Sequence, residues 1–242
     1  MKTIIKYITP FVLLSSTLLA GPKPVLHWDF DKQTNGKITD KTGEGTEGLL
    51  KKVELVKGVE GKAASFMEES AHINIDYFRL DDYLAGEGFT VSFWGYVDSE
   101  IAYSKTIKEN GYYFSFNHSH KGLGMGIDQS KKVRVDSFEN HRFISIADMN
   151  TMYFKDEWAH FAIVSNNENS LKFYINGELA AEKSIDNSAA FKKVDYGNNL
   201  HIGSNHGGNR TLGGMIDEFK IFDKQLTERE IIAEFKSVNI KK

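Results

Sequence analysis

Between Asn110 and Phe143 the chain reads NGYYFSFNHSHKGLGMGIDQSKKVRVDSFENHRF, its stretch of most varied chemistry. His118 and His120 stand two apart, so on a continuing strand they share a face. Tyr113, Asn117, Lys131, Arg134, His141 and Arg142 fall in the same stretch. Arg, Asn or His can neutralise a uronate carboxylate, and Tyr or His can move protons; a lyase acting on an acidic polysaccharide needs that inventory. For such a lyase the candidate catalytic residues are His118, His120, Tyr113 and Arg134. Two histidines beside a glycine-rich turn are more often solvated loop residues than catalysts, and that plainer reading is favoured. Zinc at the same pair lacks clear further ligands.

A different residue poses a question of burial. In GGMIDEFKIFDKQLTEREI, Gly213 to Ile231, a strand over Met215 to Phe222 puts Asp217 on the face of Met215, Phe219 and Ile221. A lone buried carboxylate costs several kcal/mol unless it is paired, hydrogen-bonded or neutralised. Asp217 therefore needs either a cation or backbone amides, or it sits where the strand's parity has lapsed.

Side chains suited to binding occur in two further places. Trp94 and Tyr96 in GFTVSFWGYV lie on the face opposite Phe89, Val91 and Phe93, and GSNHGGNRTLGG carries Asn205, His206, Asn209 and Arg210 among glycines. The candidate ligand-binding residues are Trp94, Tyr96, Asn117, His118, Asn205, His206 and Asn209. Burial of Trp94 in a second layer and a plain connecting role for the glycine-rich loop are the competing readings. Trp158 and His160 in EWAHFAIV are assigned to locking the core.

The elements that must position these residues are mostly strands. LHWDFD alternates Leu26, Trp28 and Phe30 against His27, Asp29 and Asp31. SLKFYINGELAAE runs through Leu171, Phe173 and Ile175 into Asn176-Gly177, the pair favoured in a type I′ hairpin turn. One helix is expected near the end, capped by Thr227 with Glu230 completing a capping box and Leu226 facing Ile231 as a hydrophobic staple. Many short strands and few helices predict an all-β fold, an antiparallel two-sheet jelly-roll sandwich with a short C-terminal helix.

The first 20 residues read as a signal peptide: Lys2 and Lys6, an apolar run centred on Phe11 to Leu19, then Ala20 and Gly21. Residues 21–242 are expected to form one jelly-roll domain, secreted or held in the periplasm or cell envelope. There is no cysteine, so there is no lipoprotein attachment point and no disulfide, and the core must hold the fold. A formal net charge of −3 gives no basic footprint for nucleic acid, and no segment of the mature chain is apolar enough to span a membrane.

Four stretches taken in order carry a family resemblance: LHWDFD with ITDKTGEGTEG, VEGKAASFMEESAHINI, FTVSFWGYV with DEWAHFAIVSNNENSLKFYINGELAAE, and LHIGSNHGGNRTLGGMIDEFKIFDKQLTEREI. Together they resemble the laminin-G-like jelly-roll domains of the concanavalin A-like lectin/glucanase superfamily, across essentially the whole mature chain. The resemblance implies a calcium ion where the first and last strands run side by side, with Asp31, Asp40, the Gly43 region and Asp217 at the matching positions. Calcium takes six to eight oxygens in flexible geometry. An EF-hand over Asp31 to Thr42 fails instead, since Gln33 and Thr42 stand where ligands are required.

The resemblance also sets an expectation for hydrolysis. Glycosidases of the superfamily commonly carry closely spaced acids on one strand, consistent with the two carboxyl groups that retaining hydrolysis places about 5 Å apart. Asp98 with Glu100, Asp156 with Glu157, and Asp217 with Glu218 each lack a third member. The sequence thus favours an exported, noncatalytic module that recognises a polysaccharide or a cell-surface glycan or protein and is stabilised by calcium. The alternative is a polysaccharide-degrading enzyme, a lyase before a hydrolase.

Overall fold

The computed structural model describes residues 21–43, 46–76, 88–98, 111–118, 121–127, 133–139, 142–145, 156–166, 170–184, 199–205 and 207–238; the side chains of 76, 117, 118, 121–122, 136–139 and 142–145 lie outside that description. The first strands are β1 (Leu26–Trp28), β2 (Gln33–Thr34), β3 (Lys37–Thr39), β4 (Glu47–Lys51), β5 (Glu54–Lys57) and β6 (Lys62–Ser65). Next come β7 (His72–Asp76), β8 (Phe89–Val97), β9 (Gly111–His118), β10 (Lys121–Ile127), β11 (Val133–Glu139) and β12 (Arg142–Ser145). The chain continues through β13 (Ala159–Ser165), β14 (Ser170–Ile175), β15 (Glu178–Ser184), β16 (Asn199–Ile202) and β17 (Gly214–Phe222) to a helix, α1 (Glu228–Ser237).

All strand pairs are antiparallel and they form two sheets. One has eight strands in the order β15-β14-β13-β8-β17-β6-β5, with β1 also on β17; the other has nine, β12-β11-β10-β9-β16-β7-β4-β3-β2. Every apolar residue assigned to one face of β1 and β8 is buried between the sheets: Leu26, Trp28 and Phe30, then Phe89, Val91 and Phe93. Phe114, Phe116, Leu123, Met125, Leu200 and Ile202 meet them from the nine-stranded sheet. Phe93 is a hub, its ring centroid 5.2 to 6.0 Å from those of Tyr113, Phe114, Phe161 and Phe219. This is the antiparallel jelly-roll sandwich that the strand periodicity predicts.

Two local expectations hold in detail. Asn176 and Gly177 both take positive φ, 51° and 83°, as a type I′ turn demands, and Asn176 Oδ1 accepts the His160 amide at 2.9 Å, fastening the turn to β13. Thr227 caps α1 with the full reciprocal box: its side chain accepts from the Glu230 amide, and Glu230 accepts from the Thr227 amide at 2.8 Å.

The helix covers the outward face of the eight-stranded sheet. Leu226 and Ile231 pack on Ala162, Val164, Tyr174 and Phe222, forming a second apolar layer. Among the described residues no helix is long and apolar enough to cross a membrane.

Candidate functional site

The question raised by Asp217 is answered by a β-bulge. β17 pairs with β8 through Ile216↔Gly95 and Asp217↔Trp94, then slips, resuming at Lys220↔Ser92. Glu218 absorbs the slip with φ of 51°. The parity assumed from sequence is therefore broken: Ile216, Phe219 and Ile221 face the core, whereas Met215 is half-exposed. Asp217 is nonetheless 0 % exposed. The turn between β5 and β6 closes over it, and its Oδ2 accepts the amides of Val59 at 2.9 Å and Glu60 at 3.2 Å. Its Oδ1 accepts the amide of Glu218 at 2.8 Å. Burial pushes this carboxyl up to about 8, with the Glu60, Glu218 and Val59 amides pulling against that rise.

The same turn receives a second carboxylate. Asp31 Oδ1 accepts the Lys62 amide at 2.8 Å, and the turn is closed by Gly58 N donating to Gly61 O at 3.1 Å. A Cβ at Gly58 would collide with Asp217 Oδ2 and one at Gly61 with Asp31 Oδ1, so only glycine lets the backbone approach the two carboxylates this closely. Phe30, just before Asp31, is buried with φ of 54°, a conformation uncommon for a bulky residue.

The calcium set implied by resemblance divides. Asp31, just after β1, and Asp217, on β17, both address the 58–62 turn. Asp40 is buried elsewhere: its Oδ1 accepts the amides of His27 at 2.8 Å and Thr42 at 3.0 Å, and its Oδ2 accepts the Thr42 hydroxyl. Gly43 is an exposed turn residue with φ of 91°. Among the described residues no group of three His, Cys, Asp or Glu side chains is disposed to hold a metal. Two hard carboxylates converging on one turn do fit a calcium ion that completes its shell with carbonyls and water, although three amides already occupy part of the capacity of Asp217.

Beside Asp217 lies a chain of charges that has no local signal in the sequence. His27 Nε2 is 2.8 Å from Glu218 Oε2, Lys220 Nζ is 3.2 Å from the same oxygen, and Lys220 also reaches Glu234 of α1 at 3.0 Å. Burial raises the Glu218 carboxyl, yet its bonds with His27 and Lys220 outweigh that and hold it low. These contacts fasten the helix to the sheet.

Trp94 is corrected as a ligand platform. It is 1 % exposed, enclosed by His160 and Phe235 at centroid distances of 5.4 and 5.6 Å, because α1 lies over it. His160 is buried with Nε2 2.9 Å from Ser92 Oγ, and burial, then the nearby Lys220 charge, press its pKa down to about 3. It stays neutral and structural, the core role expected of it. Trp158 departs from that expectation. It is half-exposed and pairs with Tyr96 at 5.6 Å on the outward face beyond the helix.

Tyr113 is likewise corrected as a proton carrier. It is 2 % exposed and its ring packs on Phe93 and Phe161 between the sheets, because the register of β9 against β10 skips it. Arg134 alternates with the core residues Val133 and Val135 and so faces outward on the nine-stranded sheet. Asn205 is buried and accepts the Ser115 hydroxyl at 3.2 Å, and its amide donates to Asn209 O at 2.8 Å. With Gly208 N donating to Ser204 Oγ, these bonds fasten the glycine-rich loop, while Asn209 is exposed. His118 and Asn117 lie on β9 with side chains outside the described set; His120, His206, Lys131, His141 and residues 1–20 fall outside the described residues.

The nine-stranded sheet assembles an outward row that no single segment displays. Backbone register sets Leu49 against Asn74, Asn74 against His201, His201 against Ser115, and Ser115 against Gly124. Each of Asn74, His201, Ser115 and Gly124 lies between two core residues of its own strand, so the row faces away from the sandwich interior. Tyr112 lies across the glycines of β10, its ring 3.2 to 3.4 Å from where Cβ atoms at Gly124 and Gly126 would stand. The alternation Gly122, Gly124, Gly126 was the signal in the sequence for this close approach of the Tyr112 ring.

The profile of the concanavalin A-like lectin/glucanases superfamily, in its laminin G form, matches residues 69–232. No curated protein matches the chain. Among solved structures, the receptor-binding domain of botulinum neurotoxin C/D mosaic serotype is similar with a TM-score of 0.69 and 20% identity, over 88% of this chain and 51% of that one. The binding domain of botulinum neurotoxin DC in complex with rat synaptotagmin II gives 0.66 and 16%, over 89% and 52%. The serotype D ligand-binding domain in complex with N-acetylneuraminic acid gives 0.65 and 18%, over 88% and 50%. The chain thus spans about half the length of these toxin domains, and at such identities the likeness is one of fold. With the profile covering more than half of its residues and the jelly-roll sandwich in place, the chain belongs to the concanavalin A-like lectin/glucanase superfamily, in its laminin-G-like branch.

Proposed function

We propose that the protein is an exported, noncatalytic module that recognises a carbohydrate or a surface protein. The observation that carries this reading is the laminin-G-like sandwich itself, with Asn74 and Arg134 part-exposed on the outward face of its nine-stranded sheet, while Ser115, His201 and Tyr112 of the same row are buried. The Asn74 amide and the Arg134 guanidinium suit hydrogen bonding to a polyhydroxylated ligand, and such a site needs no tuned acid-base pair. The toxin domains of similar fold include one in complex with synaptotagmin II and one with N-acetylneuraminic acid, which supports a glycan or protein partner. The lyase alternative loses Tyr113, which is sealed in the aromatic core.

Calcium at Asp31 and Asp217 belongs to the same proposal. When bound it would supply positive charge against two carboxylates at the junction of β1, β17 and the 58–62 turn. The chain's own part is to bring the carboxylates to that turn and exclude water from Asp217. Export follows from the signal-peptide pattern of residues 1–20.

Titration calorimetry against neutral and acidic polysaccharides tests the recognition reading. Binding that falls about tenfold or more in Asn74→Ala and Arg134→Ala, with melting temperature retained, is the expected result. Binding indifferent to both substitutions would remove the nine-stranded sheet from the account.

A further inference from the structure

The helix leaves one part of the eight-stranded sheet's outward face uncovered. On β8, Trp94 lies under Phe235, but Tyr96, two residues on, lies past the helix and is half-exposed. Trp158 precedes Ala159, which pairs with Gly95, so the two strands carry Trp158 and Tyr96 side by side across the sheet. Their rings stand 5.6 Å apart at 52°. Met215, also half-exposed, pairs with Tyr96 from the other side.

Two features set this pair apart from the aromatic residues of the described core. Trp28, Phe93, Phe114 and Phe161 are fully enclosed, whereas Tyr96 and Trp158 show part of their rings to solvent. Neither the Tyr96 hydroxyl nor the Trp158 indole N–H has a hydrogen-bond partner among the described residues. An aromatic body with an unengaged polar tip is suited to an amphipathic partner.

Carboxylates border the pair. Asp98 directly follows β8 and its amide donates to Gly213 O at 3.1 Å; Asp156 is brought to the same strand end by its amide donating to Val97 O at 3.0 Å. Burial raises the Tyr96 phenol, and the charges of Asp156 and Asp98 raise it further, which keeps it a neutral donor.

We infer that Tyr96 and Trp158, with Asp98 and Asp156 at their border, form a second binding site, on the sheet opposite the polar row, that takes a neutral pyranose chain. Sugar rings present C–H faces that lie on aromatic rings, and their hydroxyls donate to carboxylates and to the phenol oxygen. The two carboxylates repel uronates and sialic acids at this face. The inference rests on the reading of the protein as a glycan-recognition module.

The chain's three tryptophans supply the readout, because Trp28 and Trp94 are buried and Trp158 alone among them is half-exposed. Iodide quenching of fluorescence should therefore report chiefly on Trp158. The protein is titrated with cellohexaose and mannohexaose as neutral probes, oligogalacturonate as the acidic one and choline chloride as the cationic one. The expected result is that a neutral hexaose shields Trp158 from iodide and that Tyr96→Ala and Trp158→Phe each weaken its binding about tenfold or more. Tyr96→Phe, which keeps the ring, guards against misreading a folding defect and should weaken binding less.

Saccharide binding that leaves Trp158 open to iodide and is unchanged in the Ala and Phe variants overturns this site while preserving the recognition reading. Shielding by oligogalacturonate or choline in place of the neutral hexaoses also overturns it. Failure of the unaltered protein to bind any saccharide overturns the recognition reading, and this site with it.

Discussion

Asp217 accepts the backbone amide of Val59 at 2.9 Å across 158 positions of sequence, and Asp31 accepts that of Lys62 in the same turn. The first strand, the last strand and the β5-β6 turn are thereby tied at one point by two carboxylates and their amide donors. The bulge at Glu218 makes this possible by turning Asp217 out of the intersheet core and under the turn.

Calcium should raise the melting temperature. At one hundred times its dissociation constant a ligand adds about 2.7 kcal/mol, or roughly 5 to 10 °C for a domain of this size. Scanning calorimetry with calcium and with chelator checks this, and Asp31→Asn should abolish the difference. An unchanged melting temperature after chelation would sink the calcium proposal.

Acid should unfold the protein partly through His160. Its folded pKa of about 3 lies below the ordinary 6.5 because it is buried. The unfolded chain therefore binds the extra proton first as pH falls. The contribution is complete above about pH 6.5 and is lost progressively down to about pH 3, on the order of several kcal/mol in all. Equilibrium urea unfolding across that window should show the loss, and His160→Gln should flatten it.

The helix should be removable as a cover. Thr227→Ala breaks the capping box and should cost about 1 kcal/mol. Phe235→Ala should cost about 2 kcal/mol and expose Trp94 to iodide, since Phe235 lies against it. Quenching that does not rise in Phe235→Ala would mean that other groups suffice to enclose Trp94.

The turn glycines should resist substitution. Gly61 has φ of 58°, and any Cβ there meets Asp31 Oδ1. Gly61→Ala should destabilise by more than 1 kcal/mol, whereas Gly36→Ala, with φ of 75° but open space around it, should suffer the backbone strain alone. Comparing the two by chemical denaturation separates collision from conformation.

Much of the fold was legible because its signals are local. The alternation of Phe89, Val91 and Phe93 marks the core face of β8, the Asn176-Gly177 pair marks a hairpin, and Thr227 with Glu230 marks a helix start. Asp217 was misplaced because period two assumes unbroken pairing, and a bulge is visible only beside its partner strand. Trp94 and Tyr96 looked equivalent on one strand; α1 covers the first and stops short of the second, which is a matter of packing. The row Asn74, His201 and Ser115 draws on three strands distant in sequence and exists only through register.

The central claim is recognition without cleavage, and polymer chain length tests it most directly. The protein with calcium is incubated with a broad panel of neutral and acidic polysaccharides, and the products are followed by size-exclusion chromatography and by absorbance of unsaturated ends. The account predicts polymers that are bound and keep their length. Shortened chains or unsaturated ends from any polymer would contradict it.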